Sequence, residues 1–353
     1  MIGIFCFLST RYAQFANKYI EILEENNIPY EFIFWNREGE YKGGKENWIP
    51  FNEEVNSFQP FYKKIFSFIK FSMFMRKKIK EKKYDKLIIL ISQTAIPLAD
   101  ILLFKYNHKY IYDYRDVTYE NIKWYRKLIN KIANKSCFTA ISSKGFLKYL
   151  NSENNYVVSH NTRNFQLLNI EKSNANKIRI VYWGMVRQLD FNCKICDLFA
   201  NDDRFELYYH GAGYHNELRK YCEEKKYKNI FITGAYKLED IKEFVKDTDI
   251  VLNLYENDKQ QKPAMTVKFY DSIMYDRPMI VNKDSYMAEL VSEYNLGMIS
   301  NLENDKWIDE LYNNYINFDY ENYEENRKNI YNNILKDDKE FEKNLINFAK
   351  NEQ

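Results

Sequence analysis

The chain has 353 residues, 45% of them hydrophobic and 29% charged, with a formal net charge of +2. That length suits two domains of about 150 residues each, and a charge so near balance gives no overall field for nucleic acid. Scarce Gly (10) and Pro (6) argue against long flexible linkers, and five scattered cysteines make no disulfide framework, which fits a reduced, cytoplasmic setting.

Met1 to Leu8 is apolar but lacks a basic start and is followed by Arg11, so it reads as a buried first strand rather than a signal peptide. No run approaches the roughly 20 apolar residues that span a bilayer. A helix over 9–26 follows, with Phe15, Tyr19, Ile22 and Leu23 on one face, and then a strand over 30–35. No GxGxxG follows the first strand, so a dinucleotide-binding reading fails. The stretch 36–50, with Gly39, Gly43 and Gly44, reads as a long polar loop. Residues 61–84 mix Phe and Met with many lysines and a single acid, Glu81. They read as a crossover helix, and over 61–83 also as a basic, aromatic face for an anionic membrane surface. Further strands are expected at 86–92, 110–116, 137–141 and 156–158, with helices over 94–104 and 128–135 between them. Such alternation predicts a parallel sheet with helical crossovers.

Polar residues 171–177 mark a linker. A second set of strands follows at 178–183, 205–209 and 230–234, with a helix over 238–246. The stretch from Val251 to Val281 is expected to run strand, loop, helix, strand. Pro263 opens the helix, which spans 264–275, and 279–281 forms the next strand. In an open α/β sheet, ligands bind at the carboxyl ends of strands beside helix N-termini. The first-turn amides near Met265 and Thr266 are therefore candidates to hold a phosphate. Lys268 and Asp271, one turn apart, are candidates for a phosphate and for sugar hydroxyls, or else form a solvated surface pair. Gly211 and Gly213 allow close backbone approach to a phosphate, or make a tight turn. Tyr236, just past a strand end, is a candidate to stack on a base. Arg187 lies in the loop Gly184 to Asp190, which follows a strand end.

Lys268-Phe269-Tyr270-Asp271 and Asp276-Arg277-Pro278 resemble the Lys-x-x-Glu and Gly-x-Pro pattern of GT-B glycosyltransferases from bacterial surface-polysaccharide (capsule and exopolysaccharide) pathways. Asp271 stands for glutamate, Pro263 occupies the place of an earlier acid, and the glycine before Pro278 is missing. The resemblance covers nearly the whole chain, most closely 178–299. It implies two Rossmann-like domains facing across a cleft, divided as 1–172 for the acceptor and 173–318 for the nucleotide sugar. A C-terminal helical segment, 319–353, would cross back onto the first domain. It further implies a metal-independent hexosyltransferase with no cofactor. The substrates would be a nucleoside-diphosphate sugar and an oligosaccharide or lipid-linked acceptor, handled at the inner face of the cell membrane. Gly184, Arg187, Gly211, Gly213, Tyr236, Met265, Thr266, Lys268 and Asp271 would bind the donor. A nucleotide-sugar 2-epimerase of the same fold and a non-catalytic partner subunit are the alternatives.

Asp113, Arg115 and Asp116 end a strand of the first half. In similar enzymes an acid there deprotonates the acceptor hydroxyl, and Asp116 is the candidate base; it otherwise caps a helix or pairs with Arg115. Asp247-Thr248-Asp249 reads as a connector rather than a metal motif. Cys193 and Cys196 read as helix packing, since a structural zinc needs four ligands.

Overall fold

The computed structural model describes residues 1–38, 41, 43, 45–55, 59–151, 155–162, 165–256 and 259–350. The chain divides into two compact units, Met1–His160 with Leu335 onward, and Asn161–Ile334.

The first unit is built on seven strands: β1 Ile2–Cys6, β2 Tyr30–Asn36, β3 Trp48–Asn52, β4 Lys86–Leu90, β5 Tyr110–Tyr114, β6 Phe138–Ile141 and β7 Tyr156–Val158. They lie in the order β3-β2-β1-β4-β5-β6-β7, with every pairing parallel. Fully buried runs such as Ile2–Cys6 are what a sheet covered on both faces demands. Helices α1 Ala16–Glu25, α2 Phe61–Lys82, α3 Ser92–Ala95 and α4 Lys123–Lys135 supply most of the cover. Tyr19, Ile20 and Leu23 of α1 pack on one face together with Phe341, Leu345 and Phe348 from the last helix. On α2, Trp35 stacks against Phe71 at 5.4 Å between ring centroids, and Phe7 meets Phe68 at 5.3 Å.

The second unit holds β8 Ile178–Trp183, β9 Phe205–His210, β10 Ile230–Gly234, β11 Ile250–Asn253, β12 Met279–Asn282 and β13 Gly297–Ser300. Their order is β10-β9-β8-β11-β12-β13, again all parallel. The chain winds outward from β8 in one direction and from β11 in the other, so the topological switch point lies between these two strands. Helices α5 Leu189–Phe199, α6 His215–Glu224, α7 Ile241–Lys246, α8 Val267–Tyr275, α9 Tyr286–Glu293 and α10 Trp307–Ile316 flank the sheet. The last helix, α11 Tyr320–Lys350, belongs to the second unit as far as Ile334 and to the first beyond it.

Three expectations need correction. The long loop over 36–50 is interrupted by β3, whose Pro50 is tolerated because β3 is an edge strand; Gly39 and Gly44 lie outside the described residues. The helix expected at 264 begins at Val267, since Pro263 and Met265 are buried instead of starting a helical turn. The segment from Asn161, counted with the first domain by sequence, belongs to the second unit. Phe165, Leu167, Leu168 and Ile170 pack on that unit's core, Leu168 N donates to Met274 O at 2.8 Å, and Arg277 donates to Ile170 O at 2.9 Å. Asp276 fills the place of the missing glycine: it caps α8 in the left-handed region at φ 60° and ψ 52°, a conformation Asp adopts more readily than most residues.

Candidate functional site

The carboxyl ends of β8 and β11 and the N-terminus of α8 enclose a cavity of about 460 Å³. It therefore sits at the switch point, where open α/β sheets bind ligands. Gly184, Arg187, Tyr236, Thr266, Lys268 and Asp271 all line it.

β8 passes into the loop at Gly184, whose φ of +133° is one that side-chain-bearing residues rarely adopt. The loop is stitched to the end of β9: Gly184 N donates to His210 O at 2.9 Å, and Val186 N donates to Ala212 O at 2.7 Å. A Cβ on Gly211 would overlap the Gly184 carbonyl, and one on Gly213 would overlap that of Val186. The close approach at Gly211 and Gly213 is thus between two backbone segments, and neither glycine lines the cavity. Gln188, left-handed at φ 56°, closes the loop by accepting from Glu256 N at 3.0 Å through Oε1.

Lys268 is buried, which overturns the solvated-pair reading. Its Nζ donates to Trp183 O at 3.3 Å and lies over the rings of Tyr182 at 4.0 Å and Tyr255 at 4.7 Å. Among the described residues no carboxylate comes within ion-pair distance of it. Desolvation pushes its pKa down, and the nearby Arg187 charge acts the same way, while Tyr182 and Asp271 pull it up. Tyr255 is held in place by Asn282, which accepts from Tyr255 N at 2.8 Å and donates to Tyr255 O at 2.7 Å. Among the described residues, two cations therefore line one cavity with a single acid, Asp271. That acid accepts from Trp183 Nε1 at 2.8 Å through Oδ2.

Thr266 precedes α8 in extended conformation and donates its hydroxyl to Asn253 Oδ1 at 2.8 Å. The first-turn amides belong to Val267 and Lys268, not to Met265 and Thr266. Met265 is packed in the core with Phe269 and Tyr270 and is absent from the cavity lining. Tyr236, Leu238, Ile241 and Val267 add apolar surface to the lining, with Tyr236 braced edge-on by Phe244 at 5.4 Å. Sequence reasoning missed Tyr182, Tyr255, Gln188, Gln260 and Gln261 in the lining. The first two were hidden because they read as ordinary members of buried strand ends.

In the first unit, Asp113 is fully buried, accepting from Tyr19 OH at 2.5 Å and pairing with Arg115 Nε at 2.8 Å. Arg115 also donates to Ser159 Oγ at 3.0 Å and lies over the Phe15 ring. These two residues tie β5 to α1 and β7. Asp116 is left exposed, and it neither caps α4, whose N-cap is Ile122, nor pairs with Arg115. Partial desolvation raises its pKa, and Asp113 adds to this while Arg115 opposes it. Asp247 and Asp249 are connectors that pair with Arg179 at 2.8 Å and 3.2 Å. Cys193 and Cys196 pack along α5 in the same core as Cys222.

No family profile and no curated protein sequence matches the chain. Solved structures do. An E. coli trehalose-6-phosphate structure bound with UDP-2-fluoro glucose is similar at 10% identity and a TM-score of 0.67, covering 99% of both chains. Anabaena HepE in complex with UDP and glucose is similar at 12% identity and a TM-score of 0.63, covering 97% of this chain and 98% of that one. WaaG, a glycosyltransferase involved in lipopolysaccharide biosynthesis, is similar at 9% identity and a TM-score of 0.58, covering 95% of each. At such identities the likeness is one of fold, and the fold is GT-B.

Proposed function

We propose that the protein is a glycosyltransferase that moves a hexosyl group from a nucleoside-diphosphate sugar to a hydroxyl of an oligosaccharide acceptor. The observation that carries this reading is Lys268. A buried ammonium with two aromatic faces and, among the described residues, no carboxylate partner is costly unless an anion completes it. A diphosphate in the 460 Å³ cavity would meet Lys268 and Arg187 together. As the glycosidic bond breaks, the leaving nucleotide gains negative charge, and both cations stabilise it there without a metal or a cofactor. Asp271 accepts from ribose hydroxyls while Trp183 holds its orientation. Tyr236 and its apolar neighbours receive the base. UDP is the first nucleotide to test, since two of the similar structures hold UDP or a UDP sugar.

Asp116 is assigned as the base that takes the acceptor proton, because it is the open carboxylate at the end of β5 and its raised pKa favours accepting a proton. We place the reaction in surface-polysaccharide synthesis, on a lipid-linked acceptor at the inner face of the cell membrane. The support is the resemblance around Lys268 and the fold shared with WaaG.

The test is a thermal-shift screen against UDP, GDP, CMP and dTDP sugars, because a ligand that binds only the native state raises its stability. A rise with one nucleotide class that vanishes in Lys268→Met supports the site. No rise with any of them refutes it. Incubation with donor alone then separates transfer from epimerisation, since transfer consumes no donor without an acceptor.

A further inference from the structure

We propose that a basic cavity at the amino edge of the first unit's sheet binds a small soluble anion carrying linked phosphoryl groups. The cavity measures about 1050 Å³, more than twice the one at the switch point. It lies wholly within the first unit and forms where the strands begin. Lys86 opens β4, Lys109 precedes β5 and Cys137 precedes β6. Because all strands of this sheet are parallel, this edge is the opposite one from Asp116 at the end of β5. Three helix ends complete the lining. Lys80 and Lys83 come from the end of α2, Lys105 from the end of the helical turn Ile101–Lys105, and Phe348 from the last turn of α11.

Among the described residues, five lysines thus line one cavity with a single acid, Asp85. That acid is taken by the amine of Met1, and none of the five lysines has a carboxylate of the described residues within ion-pair distance. Lysines near helix C-termini offset the helix dipoles, but each helix end carries only about half a charge, so three ends leave the cavity positive. Lys86 is half-buried. It donates to the carbonyls of Phe348 and Ala349 and lies over the Phe348 ring at 4.9 Å. Burial pushes its pKa down, and an anion beside it would act the other way. Tyr84 and Tyr106 add buried ring surface to the same lining. Lysines serve as point charges for phosphate, and several of them around a concave site match a ligand whose own charges are multiple and close-set, as on a di- or triphosphate. A lipid phosphate offers the same chemistry, but singly and on a flat surface.

The test is titration calorimetry of the full chain with tripolyphosphate at about 50 mM and about 0.3 M NaCl. The expected result is binding that weakens with salt, persists in Lys268→Met, and falls roughly tenfold or more in Lys80→Glu/Lys109→Glu. Lys123→Glu/Lys127→Glu on α4 reverses the same charge away from the cavity and should bind as the parent does. All four lysines are exposed, so the thermal midpoints of both variants should match the parent. Absence of binding by the parent, its loss in Lys268→Met, unchanged binding in Lys80→Glu/Lys109→Glu, or an equal fall in both charge-reversed variants overturns the proposal. So does displacement of tripolyphosphate by phosphatidylglycerol vesicles, for that gives the cavity to a lipid phosphate. Binding of the nucleotide sugar is read separately in Lys80→Glu/Lys109→Glu and should be unchanged there, so failure here leaves the donor site standing.

Discussion

The indole of Trp183, the last residue of β8, donates to the carboxylate of Asp271 on α8 at 2.8 Å. The same residue's carbonyl accepts from Lys268 at 3.3 Å. One strand end thus orients both the acid and the cation of the proposed donor site.

This makes Trp183→Phe an informative change. It keeps the ring and removes the donor. A hydrogen bond to a charged group contributes about 1.5–3 kcal/mol, so UDP-sugar affinity should fall by roughly 10- to 100-fold. Isothermal titration of the two proteins checks this, and equal affinities would show that the Trp183 bond has no part in orienting Asp271.

Lys268→Met should abolish nucleotide binding yet leave the fold as stable as before, or more so, because a buried ammonium with no carboxylate partner among the described residues is costly. The pH dependence has a defined sign. The pKa of Lys268 lies below its ordinary 10.5 in the folded chain, so between those two values the unfolded state binds more protons and stability rises with pH. Any stability advantage of Lys268→Met should therefore be largest near neutrality and shrink as the pH approaches 10.5. Thermal midpoints of both proteins across that range give the comparison; an advantage that grows with pH contradicts it.

Asp116→Asn should lower kcat by roughly 10²- to 10⁴-fold, the usual worth of a general base, while UDP binding stays unchanged. In the parent enzyme, the acid limb of kcat/KM should lie above the ordinary carboxylate value of 3.8, because desolvation raises this group. Full activity of Asp116→Asn would move the base elsewhere.

Gly211→Ala tests the stitching behind the donor loop. The added methyl would overlap the Gly184 carbonyl, and overpacking typically costs about 1–3 kcal/mol. Chemical denaturation should show that loss, with weaker UDP binding as the loop shifts. Undiminished stability would mean the loop yields freely.

Much of the fold is legible in the residues. Buried apolar runs such as Ile178–Trp183 alternate with helical periods, and that alternation specifies parallel sheets. β3 escaped because Trp48–Asn52 is a half-exposed edge strand containing Pro50, without the apolar run that marks a central strand. The helix start at Val267 escaped because Pro263 carries a strong local signal that burial of Pro263 and Met265 overrides.

By itself the sequence determined two α/β halves and several of the residues that line the cavity at the switch point, because the period of apolar residues and the place of Lys268 and Asp271 after a strand are local properties. Only the tertiary structure decided which groups meet. It buried Lys268 between Tyr182 and Tyr255, gave Asp271 to Trp183, and gave Arg115 to Asp113 so that Asp116 stands open. It set Gly211 against Gly184 rather than against a ligand. The reason is physical: a parallel sheet joins strand ends far apart in the chain, so the cost of burying a charge is settled by neighbours that no sequence window contains.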